Sequence, residues 1–167
     1  MQRNYEFDET ALISAITVGV PGKRTFFLAI GEKEKWLRLW LEKEQLEVFA
    51  LAIDQFFNTL SQQNIHPNPE AEEQPLSNDV PSGLPTIELE IEQIVLGYEQ
   101  EIPTLRFLVH GMGPLEQNSS EVYCRITMTR LKELGDQAKS ICAAGRPRCP
   151  ICGGPIDPSG HVCPKTN

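Results

Sequence analysis

The sequence predicts an α+β fold: two βββα units with helices packed on antiparallel sheet, then a short zinc-knuckle tail. Three observations predict it. Apolar residues alternate with period two in two separated stretches, the mark of half-buried strands. Each stretch passes directly into apolar residues at helical spacing. Beyond residue 145 the chain changes character, becoming rich in proline and cysteine. The expected organisation is a body over 1–145 and a metal-binding tail over 146–167. The body divides into halves of about 11–63 and 86–144, joined by a proline-rich linker, 64–85.

The first half opens with a strand over 11–18, with Leu12, Ile16 and Val18 on one face. Pro21-Gly22 suits the two central positions of a type II turn, because glycine accepts positive φ there. The strand Thr25–Ile30 returns with Phe26, Leu28 and Ile30 on one face and Phe27 on the other. After the polar turn at 31–34, Leu37, Leu39 and Leu41 alternate with Trp36, Arg38 and Trp40. The period then becomes helical through Leu46, Phe49, Ala50, Ile53, Phe57 and Leu60.

The linker contains Pro67, Pro69, Pro75, Pro81 and Pro85 among acidic and small polar residues, a composition that reads as a solvated spacer. The second half repeats the plan. Ile87, Leu89 and Ile91 alternate with Glu88, Glu90 and Glu92, and the parity then shifts to Ile94, Leu96 and Tyr98. That shift predicts a bulge near Gln93. Strands follow over Thr104–His110 and Glu121–Met128. Thr129 is the expected N-cap of a shorter helix carrying Leu131, Leu134, Ala138, Ile141 and Cys142. The shared plan suggests an internal duplication.

The 167 residues carry 15 Lys plus Arg against 23 Asp plus Glu, a net charge of −8. An acidic protein is repelled by phosphate backbones, which disfavours general nucleic-acid and anionic-membrane binding. The tail runs the other way, with Arg146, Arg148 and Lys165 against Asp157 alone. No apolar run is long enough to span a bilayer, and Met1–Glu6 lacks the apolar stretch of a signal peptide. Five cysteines, three of them between positions 149 and 163, fit metal binding in a reducing, cytoplasmic environment better than a disulfide framework.

The tail carries the one specific motif. Cys149-Pro150-Ile151-Cys152-Gly153 has the form of a knuckle, in which two intervening residues let both sulfurs face one centre. His161 and Cys163 return after eight intervening residues, a loop short enough to close cheaply. Together the three cysteines and the histidine offer a ligand set for one structural zinc per chain. The one-residue gap between His161 and Cys163 is shorter than the usual two, and Cys142 is an alternative fourth ligand. With only Ile151, Ile156 and Val162 as sizeable apolar residues, the tail cannot hold a fold by burial, so metal must supply the stability.

Three stretches resemble an uncharacterised bacterial family, domain of unknown function 3090. They are Val18-Gly19-Val20-Pro21-Gly22-Lys23-Arg24-Thr25-Phe26-Phe27-Leu28, then Leu41-Glu42-Lys43-Glu44-Gln45, then the tail from Gly145 to Cys163. The resemblance implies a cytoplasmic bacterial protein with a C-terminal Cys/His cluster. It brings no activity with it.

Other constellations are weaker. Trp36, Arg38 and Trp40 form a face that could stack bases, but burial against another part of the protein or another subunit explains it as well. Residues 19–24 lack the spacing and following helix of a phosphate-binding loop. Cys124 shares the apolar face of its strand, so a nucleophilic pairing with His110 is disfavoured. His66 and the run Glu88, Glu90 and Glu92 read as solvated. The expectation is a non-enzymatic binding or regulatory module with a protein partner, self-association being compatible with it. A single-stranded nucleic-acid binder using Trp36, Arg38 and Trp40 is the first alternative. An enzyme with a site between the halves is the second.

Overall fold

The computed structural model describes residues 3–8, 11–32, 34–65, 81–99, 102–111, 119–157 and 159–166. In chain order the elements are β1 (Arg3–Phe7), β2 (Leu12–Val18), β3 (Thr25–Glu32), β4 (Lys35–Leu41), α1 (Lys43–Gln62), β5 (Ile87–Glu99), β6 (Ile102–Gly111), β7 (Ser119–Arg125) and α2 (Met128–Ala143). The strands form one seven-stranded sheet in the order β1-β7-β6-β5-β4-β3-β2. Most of the linker, with His66, lies outside the described residues.

The sheet is mixed rather than antiparallel. β2, β3 and β4 are mutually antiparallel, as are β5, β6 and β7. β4 and β5, however, pair in parallel. The cause is the connection: α1 runs back along the sheet, so the chain re-enters beside β4 in the same direction. A second parallel pair comes from β1, which lies beside β7 with Tyr5 opposite Val122 and Phe7 opposite Cys124. The sequence pattern does not predict this strand, because only Tyr5 and Phe7 mark it. Both rings pack against the core from the sheet edge.

Both helices contribute to one core on one face of the sheet. Leu46, Phe49, Ala50 and Ile53 of α1 and Leu131, Leu134 and Ala138 of α2 join Phe26, Leu28, Ile30, Leu37, Leu39 and Leu41 there. In β2 it is Ile13 and Ala15 that enter this core, whereas Ile16 faces the other way, opposite to the expected parity. Gly135 sits where α2 meets α1: a Cβ there would lie 3.0 Å from Ile53 Cγ2, so only glycine allows this approach.

Local signals fix the element ends. The Lys23 amide donates to the Val20 carbonyl at 2.8 Å and Gly22 has φ +93°, the expected turn. The register of β5 shifts between Ile91 and Gln93, the expected bulge. Gln45 spans that point, accepting from the Glu42 amide at 2.7 Å and donating to the Ile91 carbonyl at 3.0 Å. The N-cap of α2 is Thr127 rather than Thr129. Its hydroxyl accepts from the Arg130 amide at 3.2 Å, and β7 ends correspondingly early at Arg125. The last turn of α2 has no basic residue of its own. Arg24, from the β2–β3 hairpin, donates to the Ala144 carbonyl at 2.8 Å and the Ile141 carbonyl at 3.4 Å instead.

Candidate metal centre

The tail folds back on itself through short backbone bonds. The Cys149 amide donates to the Gly154 carbonyl at 2.7 Å, and the Gly153 amide to the Cys149 carbonyl at 2.8 Å. Gly153 takes φ +73°, as the turn beneath a metal requires. The Ile156 amide then reaches the Pro147 carbonyl at 2.7 Å, and Arg146 closes on Asp157 at 2.6 Å. These bonds present Cys149 and Cys152 side by side.

His161 and Cys163 return to them. One ligand atom from each of Cys149, Cys152, His161 and Cys163 lies within 4.8 Å of all the others. Cys152 Sγ and His161 Nε2 are 3.2 Å apart. Cys149 and Cys163 are buried, and Cys152 and His161 are half-buried. Metal bonds of about 2.0–2.3 Å would place tetrahedral ligands at about 3.3–3.8 Å from one another, so the group needs only a small contraction around an ion. Among the described residues, no other cluster of three or more Cys, His, Asp or Glu groups is this close. Cys142 is not part of the group. It packs against the core, where burial first and Glu47 second push its thiol up.

The electrostatics favour deprotonated sulfur. The amides of Cys152 and then Ile151 point at Cys149 and hold its thiol at about 6. For Cys152 the Gly154 amide favours the thiolate, but burial and the neighbouring Cys149 and Cys163 sulfurs outweigh it and push that thiol up. Such crowding of like charges is what a cation relieves.

The aromatic face lies on the side of the sheet away from the helices. Phe27 and Trp36 are each 1% exposed and cluster with Ile16 and Ala29, with half-buried Trp40 packed alongside. The Arg38 guanidinium lies 5.0 to 5.2 Å from the ring centroids of Phe27, Trp36 and Trp40. Glu88, read from sequence as solvated, accepts from Arg38 at 3.2 Å and from Trp40 Nε1 at 2.8 Å. The signal that could have found it is its place opposite Arg38, which exists only once β4 and β5 pair. Cys124 is buried in the core, and burial followed by Asp8 pushes its thiol up to about 12. His110 lies on β6 opposite Ser119 and Glu90 in register.

No described helix is long and apolar enough to cross a membrane. No curated protein and no solved structure matches this chain. A family model described as a protein of unknown function (DUF3090) matches residues 5–163, covering the three resembling stretches and all four clustered ligands. The chain belongs to that family.

Proposed function

We propose that this protein is a non-enzymatic binding or regulatory module whose tail is organised by one structural zinc. The carrying observation is the convergence of Cys149, Cys152, His161 and Cys163 within 4.8 Å. Three sulfurs and one imidazole suit zinc, and four protein ligands leave no open position for a reacting water. Free thiols fit a reducing compartment such as the cytoplasm. The test is metal analysis of protein purified without chelators, with X-ray absorption to read the ligands. One zinc per chain, bound by three sulfurs and one nitrogen, is expected. Less than about 0.2 zinc per chain, with no other metal in its place, would overturn the reading.

The tail, 146–167, is proposed as a unit distinct from the body. The support is compositional: it owes its shape to short backbone bonds and the ligand cluster rather than to apolar burial. The order of three strands and a helix, met twice along the chain, supports an internal duplication. Both helices then share one core, as an α+β layer requires.

A protein partner remains the favoured ligand class over single-stranded nucleic acid. Arg38 and Trp40 spend their polar groups on Glu88, and Trp36 is buried, which leaves little of that face to stack bases.

A further inference from the structure

The β2–β3 hairpin, the start of α1 and the tail meet around a cavity of about 420 Å³. Four cationic side chains line it, Arg24, Lys43, Arg146 and Arg148, together with Glu42 and Glu44. This concentration of positive charge occurs in a chain whose net charge is −8. The cations come from three stretches far apart in sequence, each among those that carry the family resemblance.

Their arrangement is held by the fold. Arg24 is anchored through its terminal nitrogens to the end of α2, while its Nε is buried with no hydrogen-bond partner among the described residues. Gly22 brings the hairpin against Arg146: a Cβ there would lie 3.4 Å from the guanidinium carbon. Arg146 is partly neutralised by Asp157, and Lys43 lies 3.9 Å from Glu47, a distance at which little charge is cancelled. Arg148 is exposed and makes no ion pair among the described residues. Lys43 and Glu44 are the first residues of a 20-residue helix, whose amino end adds positive potential to that of the side chains.

We propose that this cavity binds a phosphorylated small molecule. A dianionic phosphate matches several convergent cations better than a single carboxylate does. Glu42 and Glu44 supply acceptors for hydroxyl or amino groups on the remainder of the ligand. The same two carboxylates, and the acidic protein around them, repel a polynucleotide backbone. The volume falls within the usual range for small-molecule sites, about 300–1,000 Å³. The proposal rests on the metal-organised tail, because Arg146 and Arg148 immediately precede Cys149.

The experiment is a titration of the full-length, metal-analysed protein with ribose 5-phosphate and adenosine 5′-monophosphate, read by backbone amide NMR shifts. Ribose without phosphate is the control. Saturable shifts at Gly22, Lys43 and Gly145 are expected with a phosphorylated probe and not with ribose. Lys43→Gln and Arg148→Gln together should weaken binding by about tenfold, the effect of losing a charge-assisted contact. Lys132→Gln, on the exposed side of α2, should leave it unchanged. Both variants keep Arg24 and its bonds to α2, so folding is preserved. No saturable shift with either probe in zinc-bearing protein would overturn the pocket while leaving the metal reading intact. Saturable binding by protein that carries no metal would overturn the metal reading instead. Tighter binding of a single-stranded oligonucleotide through the same two cations would overturn the small-molecule assignment.

Discussion

Glu88 holds Arg38 across the parallel β4–β5 pair, with Nη1 3.2 Å from Oε1, while its other oxygen accepts from Trp40. One carboxylate on β5 thus fixes two side chains of β4 on the face away from the helices. Both ionic side chains retain some solvent contact, which moderates the energy. Glu88→Ala should cost about 1–2 kcal/mol, through the stranded guanidinium and indole N–H. Adding Arg38→Met should restore part of the loss, since the unpaired charge is then gone. Denaturant unfolding of the two single variants and the double variant measures the coupling.

Trp36 tests the neighbouring part of that face. It is 1% exposed, so Trp36→Ala should destabilise by about 3–5 kcal/mol, and Trp40→Ala, half-buried, by less. Unfolding should be measured beside binding to a single-stranded oligonucleotide. Unchanged stability together with lost oligonucleotide binding would promote the nucleic-acid reading.

Deleting 146–167 tests the tail's independence. Arg24 would keep its carbonyl partners at Ile141 and Ala144, and both helices would keep their shared core. A folded body with a single cooperative thermal transition is expected. Aggregation or loss of cooperativity would place the tail within the core packing.

Cys124 should behave as an inert thiol. In the unfolded chain a cysteine ionises near pH 8.5, whereas burial holds Cys124 protonated up to about 12. Between those values the unfolded state binds fewer protons than the native state, so stability falls as pH rises, by up to about 1.4 kcal/mol per pH unit. Cys124→Ala should remove this part of the alkaline slope. Iodoacetamide at pH 8 should leave Cys124 unmodified until the protein is unfolded, as mass spectrometry of digested protein would show.

The start of α2 offers a local comparison. Thr127→Ala removes the hydroxyl that accepts from Arg130 and should cost about 1 kcal/mol. Thr129→Ala, inside the first turn and exposed, should cost less than about 0.5 kcal/mol. Paired denaturant melts decide between them.

The features that could be read from the chain alone are those whose cause is local. Alternation through Phe26–Ile30 and Trp36–Leu41, helical spacing from Leu46 to Leu60 and the Pro21-Gly22 turn each express the geometry of a few adjacent residues. The parity break near Gln93 belongs with them. The Cys/His group was readable for a related reason: all four ligands fall within 149–163, where short loops leave the chain few other places to put them. What required the folded chain is set by contacts between distant segments. β1 finds β7 only after the whole intervening sheet exists, and Glu88 meets Arg38 only because α1 returns the chain parallel to β4. The same holds for Arg24, Lys43 and Arg148, which line one cavity because a hairpin, a helix start and the tail pack together there. No periodicity or spacing encodes that meeting, since its energy comes from the shared core on the far sides of those elements.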